Sequence, residues 1–139
     1  MTSTGTDPTV DPTVVVDTYL QLCEDRELDA ASRFLAPGVR MQFPTGVEHA
    51  ALADMVATPK PYAWVRKHRD RFLTGEQEGG DVHVVSLGRL YGERLDGTPF
   101  DDVRYVDVFV LRDGLITEQI VWNDLCEAGI GLEPSSARA

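Results

Sequence analysis

Tyr105-Val106-Asp107-Val108-Phe109-Val110-Leu111-Arg112-Asp113-Gly114-Leu115-Ile116 is an alternating run that turns at Asp-Gly and starts alternating again. Asp-Gly between two such runs is the residue pair of a tight β-hairpin, because both central positions of that turn take positive φ. Tyr105, Asp107, Phe109 and Leu111 share one side of the strand, and Val106, Val108 and Val110 the other. Both sets are largely apolar, so both faces of the sheet expect cover.

Outward from this hairpin the same pattern continues. Leu115 to Asp124 is the last strand, Phe100 to Arg112 the one before it, and Asp81 to Arg94 the first of three, joined to the second through Asp96-Gly97. Runs this long exceed the usual ~5–6 residues of a strand, which predicts a bent, twisted meander with bulges. Upstream the period changes. Asp11-Pro12 is a helix start, and Val15, Val16, Tyr19, Leu20 and Leu22 follow at helical spacing. Asp29 caps a short helix that Pro37-Gly38 ends; Val39 to Phe43 alternates as a strand; Val47 to Val56 reads as a helix. From Tyr62 to Leu73 the positions Trp64, Val65, His68 and Phe72 form a helical stripe, with Arg66, Lys67, Arg69 and Asp70 turned mostly away. Helices first and a long meander after them give an α+β class, with N-terminal helices packed on a strongly curved antiparallel sheet. The domain is expected over residues 11–128, between a polar arm at 1–10 and a polar tail at 129–139.

Composition limits the partners. The 139 residues carry a net charge of −10. With no basic block, a nucleic-acid backbone or an anionic membrane surface is not the expected partner. No stretch approaches the ~18–20 apolar residues of a membrane span, and the first ten residues lack a signal-peptide pattern, so a cytoplasmic protein is expected. Cys23 and Cys126 are far apart and read as reduced thiols. His49, Glu48 and Asp54 do not have metal-ligand spacing, and no Gly-rich phosphate loop or nucleophile elbow is present, so neither a metal nor a nucleotide cofactor is expected.

Chemistry rests on few residues. Asp107, flanked by Val106 and Val108, is costly as a buried anion, so it either finds donors or keeps a proton. Protonated, it would donate, and together with the Tyr19 hydroxyl on the apolar stripe of the first helix it would stabilise an oxyanion or enolate. The competing reading pairs Asp107 with an arginine such as Arg89 and makes Tyr19 a core aromatic. His68 is the candidate proton carrier. Phe43, Trp64, Leu87 and Val121 would line a pocket, with Arg89 and Asn123 as further contacts.

Val15-Val16-Asp17-Thr18-Tyr19, the passage Phe34-Leu35-Ala36-Pro37-Gly38-Val39 and the run Tyr105 to Ile116 together resemble the nuclear transport factor 2-like superfamily. Within it, the chain looks most like the SnoaL-like polyketide cyclases and ketosteroid isomerases, over Thr13 to Asp124. The resemblance implies a cone-shaped α+β barrel with an apolar pocket and a homodimer formed through the sheet. It places Tyr19 and Asp107 where the isomerases hold their oxyanion-binding tyrosine and protonated aspartic acid. Their catalytic base would fall near Phe43; the acid/base aspartate of the cyclases would fall at Val121 and their histidine at Asp107. The triad of limonene epoxide hydrolases would fall at Leu87, Arg89 and Val121. The general base is therefore unassigned. The resulting expectation is a cofactor-independent enzyme acting on a hydrophobic carbonyl compound by isomerisation, cyclisation or dehydration. The alternatives are a non-catalytic ligand-binding or scaffold protein, an atypical epoxide hydrolase or cyclase, and an adaptor for a partner protein.

Overall fold

A computed structural model describes residues 11–77 and 79–130 of the chain. The expected arm at 1–10 and most of the tail at 129–139 lie outside the described residues. Helix α1 (Pro12–Glu24) begins as its sequence demands, with Asp11 accepting from the Thr13 N–H at 2.9 Å. It buries Val15, Val16, Tyr19 and Leu20. A short α2 (Leu28–Ser32) follows, with Asp29 inside its first turn rather than at its cap. Strand β1 (Leu35–Gln42) then runs to a 3₁₀ turn at Pro44–Gly46, a two-residue β2 (Glu48–His49) and α3 (Leu52–Ala57). Pro37-Gly38 thus lies inside β1, at an irregular stretch of its pairing with the last strand, and the helix expected over Val47 to Val56 shrinks to α3.

The rest is sheet: β3 (Tyr62–Glu76), β4 (Val82–Arg94), β5 (Pro99–Arg112) and β6 (Leu115–Asn123). The six strands run in the order β2-β1-β6-β5-β4-β3. All neighbours are antiparallel except β1 and β6, which are parallel, so the sheet is mixed and open rather than a closed antiparallel barrel. Asp113 and Gly114 both take positive φ, 54° and 80°, as the tight turn between β5 and β6 requires.

The segment Tyr62 to Leu73 is the clearest departure from expectation: it is strand β3, not a helix. Two register shifts, at Tyr62/Trp64 and Arg69/Arg71, each insert a residue and reverse the parity of the strand beyond it. Val65, Lys67 and Arg69 pair with Gly92, Leu90 and Gly88, whereas Phe72 pairs with Ser86. An odd-to-even switch along one strand imitates helical spacing in the sequence.

The curved sheet closes over α1 around Val16, Met41, Val84, Phe109 and Ile116, all fully buried. A second cluster at the far end joins Leu90, Phe100, Val103, Tyr105 and Ile130. Ile130, two residues past the boundary expected at 128, is buried in this cluster.

Candidate functional site

Strand β5 carries Asp107 into the middle of the inner face, with Ser86 of β4 and Val121 of β6 abreast of it. The side chain is completely buried, and among the described residues neither carboxyl oxygen has a hydrogen-bond partner. One cation approaches: Lys67 Nζ lies 3.5 Å from Oδ2. Burial pushes the Asp107 pKa above the ordinary carboxylate range, and the Lys67 charge opposes this. Burial is the larger influence, so the acid holds its proton to a higher pH than an exposed aspartate.

Lys67 comes from β3 on the inner side. Its ammonium sits over the Tyr105 ring, 5.2 Å from the centroid, and its side chain is 23% exposed, the most open of this group. Tyr105 in turn shares a 2.9 Å hydrogen bond with Ser86 Oγ, and its own pKa is raised to about 12, chiefly by burial. From the opposite side α1 brings Tyr19, whose ring packs edge-on against Phe109. The Tyr19 hydroxyl donates to Gln119 Oε1 at 3.2 Å, and burial first, then Cys23 and Asp107, raise its pKa well above the usual value. Cys23 follows Tyr19 by one helical turn on the same face; burial raises its pKa as well.

What fixes Lys67 relative to α1 is Arg69. Its Nε contacts Asp17 at 2.7 Å, its two terminal nitrogens reach Glu24 at 3.0 Å and Gln21 at 2.6 Å, and Glu24 Oε2 also accepts the Lys67 backbone N–H at 2.9 Å. Three residues on one helix face are thus clamped to one strand. Arg69→Ala should lower unfolding stability by about 2–3 kcal/mol, the range for losing charged hydrogen bonds in a poorly solvated place. Chemical denaturation checks this; an unchanged midpoint would make the clamp ornamental.

Two hollows, both open to solvent, lie among the described residues, and neither is lined by Asp107. One, of about 400 Å³, lies between the end of α1 and the start of β3 and is lined by Glu24, Arg26, Trp64, Val65 and Arg66. The other, of about 470 Å³, is bordered by Leu87, Val106 and Trp122.

No protein-family model matches the chain, and no curated protein sequence matches it significantly. Solved structures do match. An NTF2-like protein of unknown function from Burkholderia pseudomallei superposes with a TM-score of 0.69 at 20% identity, covering 84% of this chain and 93% of that one. TerC, co-crystallised with polyporic acid, gives 0.68 at 18% identity over 86% of this chain and 96% of its own. A putative SnoaL-like polyketide cyclase from Jannaschia gives 0.60 at 22% identity, covering 86% and 91%. This chain has the nuclear transport factor 2-like fold.

On a nuclear transport factor 2-like cone, the residues singled out from sequence fall into two groups. Tyr19, Asp107 and Val121 meet on the inside. Asn123 shares that parity at the end of β6, where its Oδ1 accepts the Leu125 N–H at 3.1 Å. His68, Trp64, Leu87 and Arg89 belong to the outer face of β3 and β4. His68 stacks on Tyr91 at 4.3 Å, Trp64 meets the same ring edge-on at 6.0 Å, and Arg89 pairs with Asp70 at 2.8 Å. None of these four faces Asp107, because residues 64, 66 and 68 point away wherever 65, 67 and 69 point in. Phe43 packs at the margin of the first core beside His49. The sequence reading missed Lys67, Tyr105, Ser86 and Gln119. A strand-period reading of Val65-x-Lys67-x-Arg69 would have exposed the first.

Proposed function

We propose that the chain is a cofactor-independent enzyme of small-molecule metabolism that acts on a hydrophobic carbonyl compound, of polyketide type, through an enol(ate). The observation that carries this reading is Asp107: a fully buried carboxyl group with no hydrogen-bond partner among the described residues and an ammonium 3.5 Å away. A carboxylic acid kept protonated where water is excluded donates to a carbonyl oxygen, and the adjacent cation offsets the negative charge that develops there. Tyr19 has a lesser part than the sequence suggested. Its hydroxyl proton is shared between Gln119 Oε1 and, more distantly, Met41 Sδ, so it holds the wall of the site. The solved neighbours include two described as putative polyketide cyclases, one of them SnoaL-like, which supports the substrate class. Isomerisation, cyclisation and dehydration all begin with the same α-proton removal. The test is therefore catalysed exchange of α-hydrogens for deuterium in hydrophobic ketones, followed by NMR. Exchange that depends on Asp107 supports the reading; none across a broad panel removes it.

A non-catalytic binding protein is the second reading, favoured by the position of the two hollows, neither of which is lined by Asp107. Ligand binding without exchange would select it.

A second copy of the chain is the proposed cover for the outer face. Val85, Val108 and Ile120 lie abreast across β4, β5 and β6, with Leu87, Val106 and the 54% exposed Trp122 in the next row. Such a row stays out of water only against another apolar surface. Light scattering should give the mass of a dimer, and Val108→Asp should reduce it to a monomer; a monomeric wild type would remove the proposal.

A further inference from the structure

We propose that Lys67 is a reactive amine that condenses with the carbonyl carbon of the ligand to form an imine, with Asp107 handling the protons. This rests on the proposed function, in which the cone takes a carbonyl compound, and it names the group that reacts with it.

The choice of cation is the first argument. The chain contains eleven arginines and two lysines. Among the described residues, the ion pairs closer than 3 Å all use arginine: Arg69 with Asp17, Arg89 with Asp70, Arg104 with Asp124 and Arg112 with Asp81. Against its most deeply buried carboxyl group the chain uses lysine. Guanidinium holds its proton at any working pH, whereas an amine can release it and bond to carbon.

Position is the second. The other lysine, Lys60, has its ammonium engaged by the carbonyl oxygens of Met55 and Thr58 at 2.5 and 2.6 Å. Lys67 has no such hydrogen bonds from its side chain among the described residues. Its head lies 3.5 Å from the buried acid, and part of the side chain, 23% exposed, reaches solvent. A ligand that reaches this exposed part of the side chain meets the amine while it remains beside Asp107.

Proton balance is the third. In a poorly solvated pair, transfer of one proton from the ammonium to the carboxylate replaces two charges with a neutral amine and a neutral acid. Burial, which raises the affinity of Asp107 for a proton, favours that transfer. The amine nitrogen then attacks the carbonyl carbon; the N–C bond forms, and the oxygen takes the proton of Asp107. The carboxylate accepts one of the two nitrogen protons and returns it to the hydroxyl, which leaves as water while the nitrogen lone pair forms C=N. One proton remains on nitrogen, and one amine and one carbonyl have become an iminium ion, water and a carboxylate. The cation formed stands where the ammonium stood, beside Asp107 and over the face of Tyr105, so both groups stabilise it. An iminium ion is a stronger electron sink than the ketone and acidifies the same α-hydrogen.

The test uses the full chain, a hydrophobic aromatic aldehyde as probe and cyanoborohydride as trap, with peptide mass mapping. Only Lys60, Lys67 and the amino terminus compete as amines. The major adduct is expected on Lys67. It should be lost in Lys67→Arg, which keeps the charge, and slowed in Asp107→Asn. Labelling that favours Lys60 or the amino terminus, or that is unaffected by Asp107→Asn, overturns the proposal. α-Hydrogen exchange separates this proposal from the parent reading: full exchange by Lys67→Arg ends the imine and leaves the enolising enzyme standing. Selective labelling of Lys67 in a wild type that exchanges nothing ends the enzyme and leaves the amine.

Discussion

Replacing Asp107 with leucine should slow catalysed α-hydrogen exchange by about 10²–10³, the usual cost of removing one oxyanion donor. The same change should leave the protein folded and at least as stable near neutral pH. Both expectations come from one physical fact, a carboxyl group taken wholly out of water. Its folded pKa lies above its unfolded value, so the native state binds the extra proton between the two. Asp107 therefore favours folding most at pH below the unfolded pKa, near 3.8, and this contribution is lost as the pH rises through the folded value. Asp70, Asp81 and Asp96 act in the opposite sense: partners lower their pKa values, and their contribution is lost as the pH falls. The difference between wild type and Asp107→Leu isolates the first effect from the second. Measured by denaturation from pH 4 upward, the variant should gain on the wild type as the pH increases. Lys67, left without its partner, keeps a route to solvent along its partly exposed side chain. Asp107→Asn retains shape and an N–H donor, so its activity should lie between the two. A leucine variant with undiminished exchange would remove Asp107 from the chemistry, and one with no pH-dependent gain would mean that the carboxyl group is solvated.

How much of the molecule was legible in the sequence depends on how local the determining chemistry is. The β4–β5–β6 meander was legible because Asp96-Gly97 and Asp113-Gly114 fix two hairpins within a few residues, and alternation then sets the inward row Tyr105, Asp107, Phe109 and Leu111; in β6 a register shift between Ile116 and Glu118 moves the inward parity to Gln119 and Val121. Asp107 stood out for the same reason, as the one carboxylate in an apolar alternating set. Helix α1 was legible from Asp11-Pro12 and its apolar spacing. Strand β3 was not. Its two bulges depend on what β4 offers opposite them, and that is a contact between distant parts of the chain. Reading Tyr62 to Leu73 as a helix turned Lys67 outward and His68 inward, so the cation of the site was missed and a surface histidine took its place. The parallel pairing of β1 with β6 is equally non-local: Leu35 and Ile116 meet across nearly the whole domain.

Gly88→Ala should be the most destabilising small substitution in the sheet. A methyl group at Gly88 would sit on the backbone carbonyl oxygen of His68 and press on the Asp70 nitrogen. Backbone atoms cannot rotate aside, so β3 and β4 would have to separate. Gly88 pairs with Arg69 at the second β3 bulge; Gly92 pairs with Val65 just past the first, and an added methyl there would meet the Trp64 carbonyl oxygen. The second bulge thus needs a residue without a side chain across from it, because the strands approach closely there. The loss should reach or exceed the upper end of the ~1–3 kcal/mol typical of overpacking. Gly75 is the internal control: it lies in the same strand β3 with nothing within 4 Å of an added methyl. Gly75→Ala should change stability by no more than about 0.5 kcal/mol. Urea denaturation of the pair gives the comparison, and equal midpoints would show that the bend tolerates a side chain. The bend also serves the site, since Lys67 and Arg69 lie on the inward arc that it creates. A Gly88→Ala protein that still folds should therefore label poorly at Lys67 with an aldehyde, because the strand that carries the amine to Asp107 has moved away from it.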